Sequence, residues 1–224
     1  MAGVPEGRAT RRSLASSSRT ASTITPSERN AAFALLAAAF ALRVAALRAV
    51  GFDTDEPQHL HVAWGWSQGL VPYRDYFDNH TPLFQFLCAP LVRWIGERPD
   101  ILIWMRVAML PLYLGSLWAV YRIGRALRSE RVALWGTAIA AVMPTFFLRS
   151  LEFRTDDLWA FLWLAILAVL VTGAMSRSRA MLAGLLAGAA LCVSMKTVPL
   201  LIGLAGALLL AAATTRRARP PLAV

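Results

Sequence analysis

Apolar residues along this chain come in long runs, broken by short polar clusters. The runs lie at Asn30 to Val50, Ile101 to Tyr121, Val132 to Leu148, Leu158 to Met175, Ala180 to Met195 and Val198 to Ala213. A helix needs about 20 mostly apolar residues to cross the hydrocarbon core of a bilayer, so this pattern predicts an all-α polytopic membrane protein with about six transmembrane helices. The last two runs are short, and Lys196 and Pro199 part them. Lysine is costly in mid-bilayer and proline disfavours helix at the residue before it, which predicts a tight turn at the membrane surface. One further stretch, Pro82 to Gly96, is apolar but short and holds Pro90 and Arg93; it fits either a span or a helix lying in the interface.

Composition supports lipid as the solvent: 57% of the residues are hydrophobic and 16% charged, with a mean hydropathy of +0.52. A net charge of +10 would suggest nucleic acid in a soluble protein, but here the arginines sit in clusters between apolar runs, as in cytoplasmic loops. No nucleic-acid partner is expected. Parity of the spans decides the ambiguous stretch. If Pro82 to Gly96 lies flat, Arg122, Arg125, Arg128 and Arg131 fall on the same side as Arg177, Arg179, Arg216, Arg217 and Arg219, together with the N-terminal tail; if it crosses, they do not. The flat reading is adopted, with both termini cytoplasmic. Residues 1–30, rich in Ser, Thr, Arg and Ala, read as a disordered cytoplasmic tail, residues 31–214 as one transmembrane module, and residues 215–224 as a second cytoplasmic tail. A transit peptide has a similar composition to the first tail. Cys88 and Cys192 lie apart in apolar surroundings without ligand spacing and read as packing residues.

With this topology Asp53, Asp55, Glu56, Asp75, Asp78, Glu97, Asp100, Glu152, Asp156 and Asp157 all face the non-cytoplasmic side. The positive-inside rule does not require that asymmetry, so the loop over 51–100 is where chemistry is expected. It opens with Asp53-Thr54-Asp55-Glu56-Pro57-Gln58-His59-Leu60-His61 and runs through Trp64 and Trp66 to Gly69, which reads as an amphipathic interfacial helix. Pro57 suits its first turn and puts Asp55 and Glu56 at its N-terminus, where the macrodipole favours ionised carboxylates. Such groups act as a base, hold a metal or simply cap the helix. Beyond Gly69, Tyr73, Tyr76, Phe77, Phe84 and Trp94 fit an interfacial aromatic belt, a role that leaves Asp75, Asp78, Asn79 and His80 unexplained.

At these residues the chain resembles the GT-C integral-membrane glycosyltransferases, in the branch of the protein mannosyltransferases and the lipid A aminoarabinose transferase. The first external loop of that family is similar to Asp55-Glu56, a short helix, and then Tyr73-Arg74-Asp75-Tyr76-Phe77-Asp78-Asn79-His80-Thr81-Pro82-Leu83. Arg154-Thr155-Asp156-Asp157-Leu158 resembles its second acidic motif, and Met195-Lys196-Thr197-Val198-Pro199 its Thr-Lys-Gly-Pro turn. The resemblance spans roughly Leu35 to Leu210 and implies transfer of a sugar from a polyprenyl-phosphate carrier to an acceptor hydroxyl. It implies Asp55 as catalytic base, with Glu56 and Asp156 in support, and Asp78, Asn79, His80, Arg154 and Lys196 on the substrate side. A lipid phosphate is a good leaving group, so the reaction needs a base for the acceptor and positive charge for the phosphate, not an acid. Lys196, with Arg149 or Arg154, would provide that charge; the alternative for the arginines is orientation and snorkelling. The chain departs from the family at His80, where relatives carry lysine before two prolines, and after Lys196, where Thr197 and Val198 replace glycine.

No cofactor is required by the sequence. A divalent metal is the other source of positive charge, and His59, His61, His80 and nearby carboxylates are the candidate ligands, although no two histidines have i, i+4 helical spacing. Arg43, deep in the first run, is expected to pair with lipid phosphate or a loop carboxylate. Membrane lipid and a lipid-linked sugar donor are the expected partners, in the plasma membrane of a bacterium. Family members are usually about twice as long, so a partner subunit or a further C-terminal half is also expected, and a catalytically inactive fragment is the alternative function. A transporter would place charges and broken helices near the bilayer midplane, often with internal repeats; here the ionisable residues other than Arg43 and Arg106 sit at helix ends or in loops, and the two halves of the chain show no self-similarity.

Overall fold

The computed structural model describes residues 24–217, so residues 1–23 and 218–224 of the two expected tails lie outside the described residues. Every regular element among the described residues is a helix: α1 (Pro26–Ala49), α2 (Asp55–Ser67), α3 (Leu83–Ile95), α4 (Ile101–Ala108), α5 (Leu110–Leu127), α6 (Glu130–Val142), α7 (Pro144–Arg149), α8 (Thr155–Val171), α9 (Arg177–Val193) and α10 (Thr197–Arg217). Helix α1 begins inside the stretch read as tail. Thr25 accepts a bond from the Glu28 amide while the Glu28 carboxylate accepts one from the Thr25 amide, and Pro26 occupies the first turn. This reciprocal capping box satisfies donors that a helix start otherwise leaves open.

Three stretches are long and apolar enough to cross a membrane: Pro26–Ala49, Ile101–Leu127 and Thr197–Thr214. The other expected spans are helical but shorter. Met143-Pro144 divides the run at Val132 to Leu148 into α6 and α7, because proline breaks the backbone ladder and restricts the residue before it. Helices α8 and α9 have 17 residues each, or roughly 25 Å at about 1.5 Å per residue, at the short limit for spanning. Helix α3, with 13 residues, extends roughly 20 Å, short of the ~30 Å hydrocarbon core. It stops at Gly96, whose φ of 75° is open to glycine and costly for other residues.

Helix α5 packs against α6 and α8, α8 against α9, α1 against α6, and α2 against α3. Close crossings use glycine: a Cβ at Gly115 would lie 2.6 Å from the Phe161 ring, and one at Gly124 would lie 2.9 Å from the Ala133 Cα. The principal core joins Ala63 of α2, Phe84, Cys88 and Val92 of α3, Met105 of α4, Phe153, Leu162 and Ile166 around α8, and Ala190 and Val193 of α9. The loop over 51–100 is therefore packed on the helices by its own apolar faces.

The bundle has two distinguishable ends. Arg131 pairs with Glu28, so the starts of α1 and α6 share one end. Arg154 pairs with Asp55 and Lys196 with Asp156, so the start of α2, the start of α8 and the α9–α10 turn share the other. This arrangement matches a chain in which α3 adds no crossing.

Candidate active site

The site rests on a buried ion pair. Arg106, in the last turn of α4, and Glu56, in the first turn of α2, are both fully buried. Arg106 donates through Nε to Glu56 Oε2 at 2.8 Å and through Nη2 to Oε1 at 2.6 Å. Its remaining donors reach the carbonyls of Leu47, Val50 and Gly51 at 3.1, 2.8 and 2.8 Å. Glu56 also accepts from the amides of Asp53 and Phe153, both at 2.9 Å. Both charges are thus satisfied on every side, which is what keeps a buried pair from being a liability. The pair ties the end of α1, the loop at 51–53, the start of α2 and the approach to α8 into one rigid corner. Glu56 supports the site from beneath and offers no oxygen to it.

Above this corner lies a chain of alternating charges. Arg154 Nη2 lies 2.6 Å from Asp55 Oδ2 and 3.7 Å from Asp156 Oδ2. Arg154 Nη1 lies 3.0 Å from Glu152 and 3.6 Å from Asp53, while Arg149 Nη1 reaches Glu152 at 3.1 Å and Asp53 at 3.4 Å. Lys196 Nζ, on the α9–α10 turn, lies 2.6 Å from Asp156 Oδ1 and 5.8 Å from the Trp159 ring centre. Four carboxylates, Asp53, Asp55, Glu152 and Asp156, thus meet three cations, Arg149, Arg154 and Lys196. The Asp55 amide, with Arg154 and Arg149 behind it, holds the Asp53 carboxyl below the usual carboxylate range. Asp55 is 39% exposed and Lys196 61% exposed, whereas Arg154 is 19% exposed. The two arginines are bound up with carboxylates. Thr197 anchors the turn that carries Lys196: its hydroxyl donates to Ala190 O or Ser194 O and accepts from Trp159 Nε1 at 3.0 Å.

Asp78, Asn79 and His80 form a second group beside the α2 helix. Asp78, nearly buried, accepts from the His80 amide at 3.2 Å, and its Oδ1 lies 3.2 Å from His80 Nδ1. Asn79 accepts from Gln58 Nε2 at 3.2 Å. The His80 ring meets the buried His59 ring edge-on at 4.7 Å, and Gln85 Nε2 lies 3.3 Å from His59 Nδ1. Burial, with His80 beside it, pushes the His59 imidazole down to about 4 against the opposing pull of Asp55 and Asp78. Because the folded value is depressed, this histidine's contribution to stability is complete above its ordinary value of about 6.5 and is lost as pH falls toward about 4, a loss of about 3 kcal/mol. Melting of the wild type and of His59→Gln, compared from pH 7 to pH 4, is expected to show the steeper acid loss in the wild type; parallel curves would place that loss elsewhere.

The structure brings Asp55, Arg154, Asp156 and Lys196 together, sets Glu56 beneath them, and places Asp78, Asn79 and His80 in the neighbouring group. The expected partner of Arg43 is corrected. Its guanidinium is fully buried and donates to Ser150 Oγ at 2.9 Å, to Phe147 O at 3.3 Å and to Ser150 O, and it lies 3.9 Å from the Tyr113 ring centre. The carbonyls left open where α7 ends at Arg149 supply two of these acceptors, and the carboxylate of Asp157 acts on Arg43 electrostatically without a direct contact. No three His, Cys, Asp or Glu side chains among the described residues converge as metal ligands. His61 instead stacks on Trp64 at 5.9 Å, and the carboxylates' charge is met by arginine and lysine. The part of the site to which sequence reasoning gave no role is Arg106, visible only as a lone arginine in an apolar run.

Comparison with known families matches residues 79–224 to the dolichyl-phosphate-mannose-protein mannosyltransferase family. The chain belongs to this family. It is a membrane glycosyltransferase family of the mannosyltransferase type, in agreement with the resemblance read from the two acidic motifs and the lysine turn. The matched segment includes Asn79, His80, Arg154, Asp156 and Lys196; Asp55, Glu56 and Asp78 precede it. Searches of curated proteins and of solved structures found no match.

Proposed function

We propose that this chain transfers a sugar from a polyprenyl-phosphate-linked donor to an acceptor hydroxyl, with Asp55 as general base. The observation that carries the reading is the state of its carboxylate: Arg154 holds Oδ2 at 2.6 Å, and Oδ1 has no donor among the described residues. One oxygen is fixed in direction and the other is free to take a proton. The acceptor oxygen attacks the anomeric carbon, its proton passes to Asp55 Oδ1, the bond from that carbon to the phosphate oxygen breaks, and the electron pair leaves with the phosphate. The anomeric configuration inverts.

Charge on the departing phosphate calls for a cation that is not already consumed. Arg154 faces four carboxylates, so Lys196, paired with Asp156 alone and largely exposed, takes this role. Asp78 holds His80 and Gln58 holds Asn79 on the donor side, where His80 replaces the family's lysine. The gathering of Arg122, Arg125, Arg128 and Arg131 at the other end of the bundle supports a non-cytoplasmic position, at the plasma membrane, for the end that bears the carboxylates. The family's name points to mannose as the sugar and protein as the acceptor.

The test is transfer from a synthetic polyprenyl-phosphate mannose by the full chain in liposomes, with the linkage of the product read by NMR. Inverted product linked to the acceptor is expected; product with retained configuration would overturn the role given to Asp55.

A further inference from the structure

At the end of the bundle away from the carboxylates, an apolar groove opens into a basic pocket. The groove, about 440 Å³, is lined by Phe33, Leu36 and Phe40 of α1, by Tyr113 to Tyr121 of α5, and by Leu134 and Thr137 of α6. The walls contributed by α1 and α5 belong to two of the membrane-spanning stretches. Trp118 and Tyr121 also line the adjoining pocket, about 430 Å³, together with Arg122, Arg125 and Thr172. Each volume lies within the range of ligand sites. The Arg122 guanidinium lies 5.1 Å from the Trp118 ring centre, and among the described residues no carboxylate pairs with Arg122 or Arg125. Arg179 donates to the Thr172 hydroxyl at 3.1 Å, adding positive charge beside the pocket. Glu130, the one acidic residue lining the groove, does not line the basic pocket.

This pairing of an apolar slot within the bilayer and unneutralised guanidinium groups at its surface matches the two halves of an anionic lipid. We infer that an anionic diacyl phospholipid binds here, one acyl chain in the groove between α1, α5 and α6 and its phosphate on Arg122 and Arg125. Thr172 ends α8 whereas Arg154 precedes it, so the lipid site lies roughly 25 Å from the carboxylate cluster along that helix. The inference does not depend on the proposed transfer reaction.

Native mass spectrometry of the full-length protein, released from detergent in the presence of phosphatidylglycerol or of phosphatidylcholine with the same chains, tests it. Phosphatidylglycerol is expected to be retained preferentially. The double variant R122Q/R125Q is expected to weaken that retention about thirtyfold, since each basic residue near an anionic surface contributes about 1 kcal/mol. R128Q, one turn further on and outside both cavities, is expected to leave it unchanged. Equal loss in R128Q would show diffuse attraction instead of a site, and equal retention of phosphatidylcholine would remove the role of the phosphate charge. Displacement of phosphatidylglycerol by an equal concentration of polyprenyl phosphate would assign the groove to the carrier lipid, overturning the inference. Both positions are exposed, and unchanged melting of R122Q/R125Q would confirm that the loss is local.

Discussion

Replacing Asp55 with asparagine is expected to lower sugar transfer by about 10²- to 10⁴-fold, the usual contribution of a positioned general base. The amide keeps the shape of the carboxylate and still offers its oxygen to Arg154, so membrane insertion and melting should stay close to wild type. What it loses is the capacity of the second oxygen to accept the acceptor's proton. Asp55→Glu keeps that capacity but displaces it by a methylene, and should recover part of the rate. Transfer unchanged in D55N, with the protein correctly inserted, would remove Asp55 from the mechanism.

The second large effect concerns the corner beneath the site. Glu56→Gln leaves Arg106 charged, fully buried and facing a neutral amide, and breaking a buried pair in this way costs about 3–5 kcal/mol. Thermal unfolding in a fixed detergent measures the loss. A paired replacement, Glu56→Leu with Arg106→Met, removes both charges together and is expected to regain much of the stability, as buried ion pairs often tolerate apolar substitutes. Transfer should not return with it, because the Asp53 and Phe153 amides and the carbonyls of Leu47, Val50 and Gly51 would lose the partners that hold Asp55 in register with Arg154. Stability and transfer recovering together would mean that the corner supports the fold alone.

Much of this architecture is legible in the sequence because its signals are local. Each apolar run becomes helix, the Asp55-Glu56-Pro57 start of α2 falls where helix-terminus chemistry puts it, and Lys196 with Pro199 marks the α9–α10 turn. The box at Thr25 and Glu28 is equally local, but Ser and Arg around it read as tail, which set the first boundary a few residues late. Pairings across the chain are a different matter. Glu56 and Arg106 are 50 positions apart, and neither side chain carries a mark of the other; only packing of α2 onto α4 makes them partners. Arg43 shows the same limit, since its acceptors are the Ser150 hydroxyl and carbonyls left open where a short helix about a hundred positions away comes to an end. Arg154 could be read as one cation among several, yet its position among four carboxylates follows from the convergence of two separate segments, 53–55 and 152–156.

Thr197 has a mechanical consequence. Helix α10 is nearly bare, with 6% of its membrane window buried, whereas Thr197 at its base is fully buried and bonded to α8 and α9. The helix is a lever on a fixed pivot. It can change tilt as bilayer thickness varies while Lys196, on the near side of the pivot, keeps its distance from Asp156, so the ammonium stays aimed at the site when the membrane around it is remodelled.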